Sequence, residues 1–338
     1  MTSFLDMNQS PAEQCYQHIR KVIDKDIIIL FDSIEKFIFQ NVDHGLILSL
    51  IPQWVVDYGI SPELNSNKDL YEKLRCRATH PIFGRCIYFY DLLGKVSALQ
   101  DRLSAVILFM RHFYSEVPCK AHYEESQYTS GVKCNGERET DAHMFLNSIF
   151  VAYASAFDLI SKIAVEQFEF DNYDFGKYKK MKSVHTLYKK SLNKIDSSLK
   201  AENMLFFEPP IIRKIISFRD EFVHNGPWDF RCSVYCTAVD GKPADEIIYS
   251  PDMDELGNFM ASGSRNKFYS QANRINIQLP DLINEATIVL KNTINQISEL
   301  YKQKTNLCID KQFTKECLDA IGEYFENQVR LQTMQPHS

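Results

Sequence analysis

The stretch DAHMFLNSIFVAYASAFDLISKIAVEQF, residues 141–168, constrains the fold more than any other part of the chain. It keeps a helical period but is apolar almost all round, with the small residues Ala152, Ala154, Ser155 and Ala156 along it. A helix without a polar face has to be wrapped by other elements, so this one is expected at the centre of a helical bundle.

Candidates to wrap it are legible on both sides. Ser10, Pro11 and Glu13 form a capping-box start for a helix to about Asp24. Helical stretches follow at 26–40, 43–58 and 67–78. The span 83–117 reads as one long helix, or as two with a break near Gly94, and the polar, aperiodic 118–140 reads as a loop. Residues 177–200 read as a basic helix, and Pro209 or Pro210 opens the next one.

Further on, β-branched and aromatic residues flank Asp240-Gly241, a dipeptide favoured in tight turns, which predicts a small β-hairpin near 230–250. A loop over 252–278 and helices at 279–305 and 311–330 complete the chain. The fold class expected is mainly α, an up-and-down helical bundle. Three regions are expected: an N-terminal helical extension (1–78), a helical core (79–230), and the hairpin with C-terminal helices (231–338).

At 338 residues, 45% hydrophobic and 24% charged, the chain has the composition of an ordinary globular protein with a sizeable core. The opening MTSFLDMNQSPAEQ has no basic stretch followed by an apolar run, and the apolar runs elsewhere fall short of a membrane span, so a cytoplasmic protein is expected. Nine cysteines, an odd number without CxxC spacing, fit a reducing compartment better than a disulfide framework. Cys232 and Cys236 could share a strand face, but no second pair matches them, and no metal or cofactor is expected. Walker, GxGxxG, HExxH and GxSxG signatures are missing, which removes support for nucleotide-loop enzymes, zincins and serine hydrolases.

The segment PIIRKIISFRDEFVHNGP carries the chemistry. At 100° per residue, Ile211, Ile212, Ile215, Ile216, Phe222 and Val223 occupy an arc of about 140°, and Arg219 lies near its middle. His224 falls about 140° away from Arg219 and one turn after Asp220, a spacing that lets the carboxylate orient the imidazole. It also occupies the last turn, where Asn225-Gly226 caps the helix, Pro227 stops it and the unpaired carbonyls favour a protonated ring. The bland reading pairs a buried Arg219 with Asp158 of the central helix.

Spacing by itself decides little. About 0.35 R-x4-H matches are expected by chance from 13 arginines and 9 histidines in 338 residues, and the chain has three: Arg75–His80, Arg138–His143 and Arg219–His224. His80 precedes a proline and Arg138 falls in the expected loop, so only Arg219 and His224 are expected to share one amphipathic helix.

RDEFVH, with the helix NSIFVAYASAFDLI before it, resembles the HEPN superfamily of helical nucleotide-binding domains. The likeness covers about 140–230, with 83–117 as a further core helix, and one departure is Gly226 where a toxin subfamily has tyrosine. The resemblance implies a HEPN-like bundle and a metal-independent endoribonuclease, made as a homodimer with a composite site and acting in stress, toxin–antitoxin or phage defence. It implies Arg219 as phosphate clamp, His224 as acid/base and Asp220 as its orienter. An antitoxin or other protein partner is left open.

KYKKMKSVHTLYKKSLNKIDSSLK (177–200) holds eight lysines and one aspartate in a chain of net charge −6. Such asymmetry points to an anionic partner, with Lys179, Lys180, Lys182, Lys189 and Lys190 as candidate RNA contacts, or to a solvated face behind a stripe of Val184, Leu187, Ile195 and Leu199. The alternative to a nuclease is a non-catalytic HEPN-like module that binds RNA, a nucleotide or a protein.

Overall fold

The structure, a computed structural model, describes residues 10–40, 68–69, 72, 76, 80–117, 132–177, 192–229, 231–239, 242–306, 315–316 and 318–323. The protein is mainly helical with one small antiparallel sheet. The elements in order are α1 (Pro11–Lys21), a π-helical segment (Val22–Ile27), α2 (Ile28–Ile38), α3 (Pro81–Glu116), β1 (Val132–Cys134), α4 (Glu137–Glu169), α5 (Pro210–Asn225), β2 (Val234–Val239), β3 (Lys242–Ile247) and α6 (Ile275–Asn306). Among the described residues, short 3-10 turns lie between α4 and α5.

Two compact units draw on segments that a linear division into 1–78, 79–230 and 231–338 keeps apart. One comprises 1–27, 98–161 and 196–294, the other 28–97, 162–195 and 295–338.

In the first unit, Ser10 caps α1 by accepting from the Glu13 amide at 3.2 Å, as the capping pattern predicts. Leu103, Val106, Met110, Leu146, Phe150, Tyr153, Ile283 and Leu290 are buried together with the apolar face of α5. The Tyr153 and Thr287 hydroxyls share a hydrogen bond in this core, so the polar end of a fully buried tyrosine is satisfied.

The start of α6 shows a similar economy. Pro280 lies inside the helix and has no N–H for the carbonyl four residues back; the Tyr114 hydroxyl donates to that Asn276 carbonyl at 2.9 Å instead. The Asn276 side chain accepts from the Ile248 amide at 3.1 Å and donates to the Glu246 carbonyl at 2.8 Å, fastening β3 to the helix start. This anchoring starts the helix at Ile275, earlier than the expected 279.

The second unit packs Leu30, Ile34, Phe37, Phe39, Phe83, Phe89, Leu92, Phe170 and Tyr301. The Tyr88 and Tyr173 hydroxyls donate to the buried Glu166 carboxylate at 3.3 and 2.8 Å, while burial pushes that carboxyl up from its ordinary range.

α3 runs unbroken through Gly94, which settles the one-or-two question in favour of one helix. The hairpin forms as expected, β2 against β3, with Val239 opposite Lys242. The loop expected over 118–140 is corrected in its described part: 132–134 form β1, paired with β2, and α4 begins at Glu137. Of the basic helix expected over 177–200, the described part is corrected: Leu192–Lys194 and Ser197–Lys200 are separate 3-10 turns, and 178–191 lie outside the described residues. The Asp196 carboxylate accepts from the Ser198 amide at 2.9 Å and so starts a new turn inside the lysine-rich segment. The helix expected at 43–58 lies outside the described residues, and 315–316 and 318–323 of the last predicted helix are helical.

The span Glu137–Asn172 is long and apolar enough to cross a membrane, with 67% of its most apolar stretch buried inside the protein, as in a core helix.

The loop between β3 and α6 folds onto α5. Gly257 has φ +86°, and a Cβ there would lie 2.6 Å from the Pro210 carbonyl oxygen and 2.8 Å from the Lys214 nitrogen. Gly257→Ala is therefore expected to lower stability by about 1–3 kcal/mol, read from the urea midpoint. An unchanged midpoint would show that this loop does not press on α5.

Candidate functional site

Helix α5 opens with Pro210 at its first position and ends at Gly226, whose φ of +85° only a residue free of a Cβ adopts easily. Its buried side chains are Ile212, Ile215, Phe218, Glu221 and Phe222. The core face is thus rotated from the expected arc: Phe218 is an anchor, Val223 is 49% exposed, and Arg219 lies at the margin instead of the middle. The Arg219 side chain is 37% exposed and bonds the Asp220 carboxylate at 2.6 Å.

Asp158 is exposed on α4, and the ion pair that Arg219 makes is with Asp220. His224 is exposed in the last turn of α5. Among the described residues no hydrogen bond joins it to Asp220, whose carboxylate Arg219 occupies. The candidate RNA-binding lysines Lys179, Lys180, Lys182, Lys189 and Lys190 lie outside the described residues.

Four residues that sequence reasoning missed, Trp228, Glu221, Lys267 and Tyr269, hold the end of α5. Trp228 is 3% exposed and packs on Phe222 and Phe218 with ring centroids 4.6 and 4.9 Å apart. Glu221, 8% exposed, accepts from the Asn225 side-chain amide at 2.8 Å and from the Lys267 ammonium. The Tyr269 hydroxyl donates to the Trp228 carbonyl. Glu221 and Asn225 are one turn apart, a pairing visible in sequence; Lys267 arrives from a loop 46 residues on and left no local signal.

The other R-x4-H matches also find their places. Arg138 and His143 share α4, contrary to the expected loop, but Arg138 is engaged with Glu246 and His143 is 2% exposed. The Ser233 amide donates to His143 Nε2 at 3.2 Å, and Trp228 packs against the ring. Arg75 lies outside the described residues. In the two matches described in full both arginines keep exposed surface, and only Arg219 is matched with an exposed histidine.

Burial holds the His143 imidazole below its ordinary 6.5, with the Ser233 backbone hydrogen bond and Asp229 acting the other way. The unfolded chain takes up that proton first as pH falls, so this group makes stability decline from pH 6.5 downwards until the folded ring also protonates. His143→Gln, which keeps an acceptor for Ser233 but does not titrate, is expected to flatten the change in urea midpoint between pH 7 and pH 5. Identical pH profiles would remove His143 as its source.

An open pocket of about 780 Å³ lies at the start of α4, lined by Asn135, Glu137, Thr140 and Asp141 together with Arg231 and Cys232. Arg219, Asp220 and His224 do not line it.

No family model, curated protein or solved structure matches this chain.

Proposed function

We propose that the chain is a metal-independent endoribonuclease of the HEPN type, with a HEPN-like bundle as its core and a homodimer as its active form. The observation that carries this is the accessible guanidinium and imidazole at the capped, solvent-facing end of α5, where a structural pair would be buried. His224 takes the 2′-OH proton or returns one to the departing 5′-oxygen, and Arg219 neutralises the charge that builds on the phosphorus oxygens. Products carry 2′,3′-cyclic phosphate and 5′-hydroxyl ends. Arg219 and His224 diverge by about 140° on one helix, so a site using both is completed by a second copy. RNA is the substrate, the lysine-rich 177–200 segment its second contact and the cytoplasm the place of action.

A second reading rests on the Arg219–Asp220 ion pair, which leaves the guanidinium already engaged within one chain. In that case the protein is a HEPN-like module that binds RNA, a nucleotide or a protein without cleaving.

The deciding experiment is cleavage of end-labelled total RNA in excess EDTA by wild type, Arg219→Ala and His224→Ala, each checked for folding by circular dichroism. Cyclic-phosphate ends that depend on both residues are expected. Inert wild type, or variants that cut equally well, would sink the nuclease reading.

A further inference from the structure

Cys134 on β1 and Cys236 on β2 are reduced thiols, partly exposed, with their sulfurs 3.5 Å apart. The register pairs Cys134 with Val234 and Val132 with Cys236, so the two cysteines are diagonal neighbours on one face of the sheet. Two features make this corner of the sheet adjustable. Among the described residues β1 is a three-residue edge strand bonded on one side, and β2 is irregular against β3 between Cys236 and Ala238.

We propose that Cys134 and Cys236 form an oxidation site at which a peroxide converts the dithiol to a reversible disulfide linking β1 to β2. The Cys134 sulfur attacks one peroxide oxygen; the O–O bond breaks, one water leaves and Cys134 becomes the sulfenic acid. The Cys236 sulfur then displaces the sulfenic oxygen, which departs as a second water with the Cys236 proton. Two electrons and two protons pass from the thiols to the peroxide, and nothing further is consumed.

Geometry makes this bond labile. Diagonal strand neighbours have Cα atoms about 7–8 Å apart, beyond the separation that disulfides prefer, so the sulfurs close to about 2.05 Å only as β1 shifts. A bond formed against that strain is readily reduced again. Burial, with Cys134 and Glu246 adding to it, pushes the Cys236 thiol up to about 12, which fits Cys236 as the residue that resolves and not the one that attacks.

The bond would fasten the strand that leads straight into α4 to the strand that follows Ser233, the partner of His143. It stands apart from the nuclease reading and survives its failure.

The test treats reduced full-length protein with a small excess of hydrogen peroxide and maps its peptides without reduction by mass spectrometry. Expected are a Cys134–Cys236 linked peptide, loss of two thiols and two hydrogens per chain, and full reversal by dithiothreitol. Cys134→Ser and Cys236→Ser should each lose the link, while Cys232→Ser keeps it. A different pairing, a link between two copies, or oxidation of either residue to the sulfinic acid without a link would overturn the proposal. Should the serine variants fail to fold, the wild-type peptide map alone decides.

Discussion

His224→Ala is expected to lower RNA cleavage by about 10²–10⁴-fold and Arg219→Ala by about 10²–10³-fold, both with the helix end intact. His224 is exposed and takes no part in the core, so its loss should leave the urea midpoint in place while activity falls. Asp220→Asn separates two roles for the carboxylate. If Asp220 orients the imidazole, cleavage drops; if it only occupies the guanidinium, cleavage holds or rises as Arg219 is released. Mixing inactive Arg219→Ala with inactive His224→Ala is the sharper experiment. In a two-fold dimer whose sites each take the arginine from one chain and the histidine from the other, mixed dimers keep one intact site, and roughly a quarter of wild-type activity returns. No recovery after subunit exchange would place both residues in a single-chain site or in none.

Trp228→Ala is expected to cost about 3–5 kcal/mol, among the largest effects of any single truncation here. The ring is 3% exposed and fills the space between Phe218, Phe222 and His143, so its removal leaves a cavity at the junction of α5, α4 and the β2 start. Its Nε1 is buried without a hydrogen-bond partner among the described residues, so Trp228→Phe discards no bond and should cost far less. The measurement is urea denaturation of all three proteins. Equal losses for alanine and phenylalanine would show that packing volume is not what Trp228 supplies. Because Trp228 closes the segment that follows His224, the alanine variant should also lose cleavage at temperatures where it remains folded.

Much of the helical frame was legible because its signals are local. Ser10-Pro11 marks a helix start, the β-branched and aromatic residues before Asp240-Gly241 a hairpin strand, and the all-apolar 141–168 a helix that must be enclosed. What escaped depended on distant partners. Val132–Cys134 becomes a strand because β2, about a hundred residues later, offers it an edge. Glu137–Thr140 are polar, so the first turn of α4 carries no apolar period to read. At the candidate site, the sequence nominates Arg219, Asp220 and His224, whereas their exposure was not legible in it. The true core face of α5 is centred on Ile215, Phe218 and Phe222 because Trp228 and Phe259 pack against Phe218 from outside the helix. The Lys267–Glu221 clamp has no sequence precursor of any kind.

The π-helical segment Val22–Ile27 bears on the ancestry of the first helix. A π turn holds one residue more than an α turn, so removing one residue here restores a regular α-helical turn. Asp26 lies within it, 3% exposed, with its Oδ2 buried and without a partner among the described residues. A one-residue insertion whose flanks kept their packing would leave such a turn. Homologues of this protein one residue shorter between Cys15 and Leu30 would be the ones in which that insertion never happened.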